Sequence, residues 1–486
     1  MIPAEGWLAE RSSLGVKYHL ASQRPHPEAA QDRSFGRLAA SSGASLRGGA
    51  GIRMKQPGQD ARHGGAWCVT VLLAALVFAL PVQAQSDPQG TDTHTGSAGR
   101  DARATPGASV DDFLALVRRF NPELAEAALD REAAVARIGP AGALDDPSIT
   151  VSRDQGFRQT MATVSQEFPL WGKRELRREV ARHQASAARG REDTFATEIE
   201  QRVKVAFAQY YAASRSIGVT EDIRSLLRLV ENAAKARYSQ GLTNQSDAIR
   251  AAVEQTRLVS ELPMHHRNQN TAQARLNALI GRSANIPLVK PAALRPVPRA
   301  TSLPFEDLLG KAQFNNPGLA LARADIAAAK GERELVDKSY YPDVTLSAGI
   351  TDMPEMDPRF VGSVGIKIPL QWGVREAQAR EATAKRGAAQ ARLDASMLEI
   401  QSGLQEALAS LRAAQEVEDL LKHGQQQQTE AAYRSALAAY QLGRGDLTAV
   451  LEAARQQLQV RLDVLKLETE QQAALADIER LIGDNL

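Results

Sequence analysis

Residues 168–174 read FPLWGKR, and residues 368–375 read IPLQWGVR. A Pro-Leu followed by Trp-Gly, closed by a basic residue, is thus written twice about 200 positions apart. Each part of the phrase has a physical sense. Pro169 and Pro369 end a strand, because proline cannot donate to a β-ladder. Gly172 and Gly373 permit a sharp swivel into a helix. Trp171 and Trp372 suit a boundary where one edge of the ring is wet and the other lies in apolar surroundings, as at a lipid interface. Two readings follow: a joint between a membrane strand and a helix, or a plain strand-to-helix turn with Trp in a small core.

Working outward, the rest of the chain repeats as well. Asn121-Pro122 returns as Asn316-Pro317, and Pro147 of DPSITVS returns as Pro342 of YPDVTLS, both at an offset of 195. Trp171-Gly172 returns as Trp372-Gly373 at 201, and ARYSQGLTNQSDAIRAA from Ala236 returns as AAYQLGRGDLTAVLEAA from Ala438 at 202. Both halves close on Leu-Ile-Gly, at Leu279 and Leu481. The offset never shrinks and jumps mainly between the two Pro landmarks of each half, so this is a tandem duplication with extra residues inserted in one loop of the second copy. The copies occupy 109–285 and 305–486, and the Pro-rich stretch 286–304 between them is a linker or a belt across the surface.

Each copy predicts the same series: a helix, two strands, a very long helix, a turn and a shorter helix. In the first copy these are a helix from Val110 to Ile138, a hairpin over 146–168, and helices over 172–238 and 246–280. In the second they are a helix over 305–337, a hairpin over 343–368, and helices over 373–440 and 446–482. The hairpins alternate apolar and polar residues, clearest where Val344, Leu346, Ala348 and Ile350 interleave with Thr345, Ser347, Gly349 and Thr351. An uninterrupted helix of some 66 residues would be roughly 100 Å long. The two shorter helices of each copy sum to nearly that length, so they can stack end to end along it. A tube wall needs helices like these and a globular domain does not, which favours the membrane joint. Open sheet edges are not tolerated in lipid, so four strands cannot span alone. Three chains would supply about twelve strands and an interior wide enough to conduct.

Composition agrees with close-packed long helices: apolar residues are 43% of the chain but aromatics only 5%. A net charge of +2 gives no electrostatic case for a nucleic-acid partner. The single cysteine, Cys68, precedes the apolar run Val69–Leu80, which is too short to span a bilayer and leads to Val82-Gln83-Ala84. That pattern predicts a signal peptide over 54–84, with 1–53 an upstream extension and 85–108 a disordered linker. A mature chain from Gln85 would contain no cysteine, hence no disulfide or thiolate chemistry.

On these residues the chain resembles the TolC-like outer-membrane efflux channels, the outer membrane factors. The resemblance rests on the duplication, the SITVS and DVTLSAGI hairpins, the Pro-Leu…Gly-x-Arg strand exits and the Tyr-x-x-Gly helical tips, and covers Val110 to Leu486. SQEFPLWGKRELR further resembles the branch serving heavy-metal exporters. The resemblance implies a mainly α fold with a small β part: a homotrimer whose long antiparallel helices form an α-barrel in the periplasm, joined to a shared twelve-stranded barrel in outer-membrane lipid. It also implies a passive exit duct served by a periplasmic adaptor (membrane fusion protein) and an inner-membrane pump of the resistance-nodulation-division type.

Site residues follow from the same resemblance. The turns Tyr238–Asn244 and Tyr440–Asp446 would be the periplasmic tips, with Tyr238, Gly241, Leu242, Tyr440, Gly443, Arg444 and Gly445 facing the adaptor. Gly241 and Gly443 are natural left-handed C-caps, and Asn244 or Asp446 can cap the next helix. Asp247, Arg250, Asp446 and Glu452 would constrict the entrance, Asp247 and Glu452 matching the family's acids. Ala449 departs from that pattern, standing at the second-copy equivalent of Asp247. Converging carboxylates would favour cations; ordinary exposed helix charges are the plainer reading. His265-His266 point about 100° apart on a helix and suit a solvated face beside Pro263 better than a shared metal. No catalytic set, phosphate loop or cofactor motif appears. A periplasmic coiled-coil adaptor or a tether without a pore is the alternative.

Overall fold

The computed structural model describes residues 107–486, apart from 155, 157, 354 and 355. The expected extension, signal peptide and most of the linker lie outside the described residues. The first copy holds α1 (Val110–Phe120), α2 (Pro122–Ala136), the one-turn α3 (Ile138–Ala141), β1 (Ser148–Asp154), β2 (Gln159–Phe168), α4 (Lys173–Ser239) and α5 (Gln245–Leu279). The second holds α6 (Phe305–Asn315), α7 (Pro317–Lys338), β3 (Asp343–Met353), β4 (Met356–Lys367), α8 (Trp372–Leu420), a π-helical turn (Leu421–Gln425), α9 (Gln426–Gln441) and α10 (Leu447–Ile482).

The 67 residues of α4 make a helix about 100 Å long. Along it pack α1, α2 and α5 from its own copy, and α7 and α10 from the other. The first helix expected in each copy proves to be two. Asn121 and Asn316 leave the helical region (ψ 124° and 119°), and each side chain accepts from the N–H three residues on, capping a helix that starts with proline. The same asparagines donate to Leu279 O and Leu481 O, each at 2.8 Å. The duplicated Asn-Pro and Leu-Ile-Gly phrases therefore touch, once in each copy.

Around each contact lies a core, and the two cores correspond residue for residue. Phe113, Val117, Val203, Phe207, Leu276 and Ile280 build the first. Leu308, Ala312, Leu404, Leu408, Ile478 and Ile482 take the equivalent places in the second. The linker is strapped over this region by Tyr210 donating to Leu288 O, Gln472 to Arg295 O and Gln415 to Pro298 O. Arg295 also pairs with buried Glu479 at 2.7 Å, and Lys204 pairs with the same carboxylate at 2.9 Å. Burial alone would raise the Glu479 pKa, but the two donated hydrogen bonds and their charges hold it below the ordinary value.

The four strands form one antiparallel sheet in sequence order, leaving β1 and β4 as edges. Register sorts the faces. Ser148, Ser165, Ser347 and Ser363 stand in one row across all four strands. The adjacent row is Ile149, Val164, Ala348 and Gly362, and the next on that same face is Val151, Ala162, Ile350 and Phe360. One face is thus apolar and the other dominated by small polar side chains. On the apolar face Phe360 is 89% and Val364 70% exposed, an arrangement that belongs against something apolar. Among the described residues no helix is long and apolar enough to cross a membrane.

Candidate functional site: a strand-to-helix joint and a double helical tip

At the joint, Trp171 and Gly172 both adopt positive φ (63° and 76°), so the swivel into α4 takes two residues. A non-glycine residue there is uncommon, and its contacts hold it. Trp171 Nε1 donates to Pro342 O at 3.0 Å, and its ring lies 5.2 Å from that of Tyr341. Buried Lys173 donates to both Asp343 oxygens at 2.8 Å and to Tyr341 O at 2.9 Å. The exit of the first hairpin is thereby clasped to the start of the second. Pro369 and Trp372 form a different joint. Gln371, the residue by which PLQWG is longer than PLWG, supplies the turn, so Gly373 lies inside α8 and is not a swivel. Trp372 stacks on Tyr340 at 5.9 Å and stays 60% exposed.

At the far end of the long helices, both turns are Schellman motifs. Gly241 N–H bonds Tyr238 O and Leu242 N–H bonds Arg237 O; Gly443 N–H bonds Tyr440 O and Arg444 N–H bonds Ala439 O. The two glycines have φ of 73° and 75°. Asn244 and Asp446 occupy the N-cap positions of α5 and α10 but make no side-chain cap bond. The extended cap geometry is present and both side chains stay in solvent. Tyr238, Leu242 and Arg444 are exposed, whereas Tyr440 is buried in a cluster drawn from α4, α5, α9 and α10. Gly445 is small because the chain doubles back: a Cβ there would meet Ala439 Cβ at 2.9 Å.

Arg237, a residue not singled out from sequence, joins the two tips. Its guanidinium donates to Tyr440 O and sits 4.9 Å over the Tyr440 ring. The second copy has Ala439 at the equivalent place, so the link has no repeat partner and self-comparison does not expose it. Burial raises the Tyr440 hydroxyl pKa, and the Asp247 carboxylate adds to that rise.

The expected entrance residues are spread over the first turns of α5 and α10. Asp247 is half-buried and accepts from the Thr243 hydroxyl, while Arg250 reaches Thr448 Oγ1 at 3.4 Å. Glu452 is exposed and pairs with Arg455 at 3.5 Å; Asp446 is exposed. One turn deeper lies a stronger contact absent from the sequence reading: Arg455 Nε donates at 2.8 Å to Glu254, a carboxylate only 3% exposed. Of the two histidines, His266 is exposed. His265 is half-buried between α4, α5 and α10, and that burial lowers its pKa, so the pair does not form one solvated face.

The family description "Outer membrane efflux protein" matches residues 114–282 and 308–484, one segment on each copy of the repeat. The chain belongs to that family. The family is one of outer-membrane efflux channels and is not an enzyme family, which favours the channel over the adaptor and tether alternatives and puts this chain in the outer membrane, extending into the periplasm. The chain is 24% identical over 386 residues to the cobalt-zinc-cadmium resistance protein CzcC of Cupriavidus metallidurans, covering 77% of this chain and 90% of that one. Its fold is similar to the outer-membrane channel OprN (TM-score 0.67, 17% identity, 79% and 95% of the two chains). VceC of Vibrio cholerae (TM-score 0.66, 18% identity, 77% and 96%) and CusC (0.66, 16%, 78% and 92%) are similar to the same degree.

Proposed function

We propose that three copies assemble into a passive exit duct for divalent metal cations, closed at the helical tips and opened by a periplasmic adaptor. The observation that carries the reading is the sheet. It has an apolar face, a polar face and two unpaired edges, β1 and β4, which in lipid must be paired by other copies. Three copies give a twelve-stranded barrel with the serine row inside and Phe360, Val364 and Ile366 toward lipid. The paired tips, with exposed Tyr238, Leu242, Arg444 and Gly445, are the adaptor's docking surface. Asp247, Arg250, Asp446 and Glu452 ring the entrance. The Pro-Trp-Gly joints at Trp171 and Trp372 sit at the membrane interface. A pump of the resistance-nodulation-division type supplies the cargo, and the printed name of CzcC supports metal ions as that cargo.

The test is planar-bilayer conductance of the purified protein together with its mass in detergent. A trimer with small, cation-preferring conductance that rises in Asp247→Asn/Glu452→Gln is the expected result. A monomer or dimer that conducts in no variant overturns the reading.

A further inference from the structure

A groove of about 740 Å³ is lined by α2, α4, α7 and α8 together. These helices pack in that order, α2 on α4, α4 on α7 and α7 on α8, and α2 does not pack on α8. A single space that all four line must therefore lie on the concave side of the layer. If copies close into a tube, that side is the bore. Its floor is alanine, with Ala188, Ala328, Ala329 and Ala389 buried.

Two pairs of charges around the groove obey the repeat, whereas Arg137 and Glu332, equivalent at 195, are opposite in sign. Asp130 of α2 is equivalent to Asp325 of α7 at the offset of 195, and Arg191 of α4 to Arg392 of α8 at 201. Neighbouring charges are neutralised between helices: Arg131, next to Asp130, pairs at 2.6 Å with Glu192, next to Arg191. Among the described residues, Asp130, Asp325, Arg191 and Arg392 make no ion pair within 4.0 Å. Arg137, Lys385 and Glu332 complete the charged lining, which then counts four bases against three acids.

We infer that Arg191 and Arg392 are residues that set the ion preference of the conduit, a positive belt partway along the bore, far from the entrance acids. The inference rests on the channel reading above and adds a second selecting station to it. Fixed charges on a water-filled wall favour counter-ions and exclude co-ions within about one Debye length, roughly 10 Å at 0.1 M salt and 3 Å at 1 M. A trimer would present six arginines at one level. Changing both to glutamine takes the lining from one net positive charge per chain to one net negative.

The experiment is the reversal potential under a KCl gradient, measured in Asp247→Asn/Glu452→Gln so that the entrance does not mask the belt. Relative to that background, Arg191→Gln/Arg392→Gln is expected to raise the cation-to-anion permeability ratio at least about twofold at 0.1 M salt, with the difference fading toward 1 M. Arg191→Lys/Arg392→Lys should leave it unchanged. Asp130→Asn/Asp325→Asn should move it the opposite way, which keeps the question answerable if the glutamine variant fails to assemble. A conducting protein whose reversal potential ignores both changes overturns the belt and leaves the channel standing. Absence of conductance in the background protein itself is instead a failure of the channel reading.

Discussion

Arg455 of α10 holds the buried carboxylate of Glu254 of α5 with two parallel donors, Nε at 2.8 Å and Nη2 at 2.5 Å. Arg257 adds a longer contact at 3.6 Å. Beside the longer Arg250–Thr448 contact, this ties the last helices of the two copies together near the tips. Its two ends are unequal, since Arg455 is 45% exposed and Glu254 nearly enclosed. Losing the arginine strands a buried carboxylate, whereas losing the carboxylate returns the arginine to water. Arg455→Ala should therefore cost on the order of 1–3 kcal/mol in thermal unfolding and Glu254→Gln distinctly less. Equal losses would show that the burial asymmetry does not matter.

The same pair sets a pH window. The hydrogen bond from Arg455 holds the Glu254 pKa below its ordinary value; burial opposes this, and the Arg455 and Arg257 charges assist. A carboxylate depressed on folding contributes stability that is complete above its unfolded value of about 4.3 and is lost as pH falls through the folded one. Removing Arg455 takes away the leading cause of that depression and leaves burial, so the stranded carboxylate takes up its proton at higher pH than in the parent. The gap in melting temperature between the parent and Arg455→Ala should thus be widest at neutral pH and narrow as pH falls through the carboxylate range. A gap that does not narrow in acidic solution would exclude Glu254 as its source.

At the opposite end of α4, the Lys173–Asp343 clasp has no repeat counterpart. The equivalent positions are Val374 and Ser148, so the second copy dispenses with the ion pair. Breaking a buried pair from one side leaves an uncompensated charge and costs about 3–5 kcal/mol, while replacing both members is often near neutral. Lys173→Val and Asp343→Ser should each lower the melting temperature in detergent, and the double variant should recover most of the loss. Additive losses would mean the two side chains act independently.

Much of this architecture was legible because the chain states it twice. The alternating hairpin strands, the long helices and the C-cap glycines each have a repeat partner, and periodicity with turn chemistry pointed to them. The features that sequence missed are those in which the copies differ. Arg237, Glu254 and Arg455 face Ala439, Gln456 and Val253 in the alignment of the two halves, so self-comparison treats them as noise. Asn121-Pro122 was seen as a landmark but not as a helix break, because the Ala/Leu/Glu pattern continues on both sides of it. Only tertiary contact with Leu279 shows why the chain must turn there.

Glycines at the tips and in the helix shafts should respond oppositely to alanine. Gly443 has a φ of 75°, and a Cβ on Gly445 would meet Ala439 Cβ at 2.9 Å. Gly443→Ala is expected to cost about 1 kcal/mol through backbone strain, and Gly445→Ala to push the tips apart as well. Gly218, by contrast, lies inside the shaft of α4 with nothing within 4 Å of an added Cβ. Gly218→Ala should stabilise the protein by up to about 1 kcal/mol. Thermal melts of the three variants, with protease susceptibility of the tip turns, separate the two classes.

The last difference between the copies is one residue of helix. Trp171 and Trp372 are 201 apart but Tyr238 and Tyr440 are 202 apart, so one residue was inserted between joint and tip in the second copy. The π-helical turn Leu421–Gln425 is where it is accommodated, since a single i→i+5 turn takes up one extra residue without changing the faces on either side. Below the turn Tyr433 and Tyr440 still belong to the tip core, and above it Leu411 still belongs to the second-copy core. Deleting Gly424 should convert the turn to regular α-helix and leave assembly and melting temperature nearly unchanged. Deleting Gly218 from the bulge-free α4 has no such reservoir: every face beyond it would rotate by about 100°. That would turn Ile223, Leu227 and Val230 out of the core, and the protein should fail to assemble. If both deletions are equally damaging, the π turn is not what absorbs the insertion.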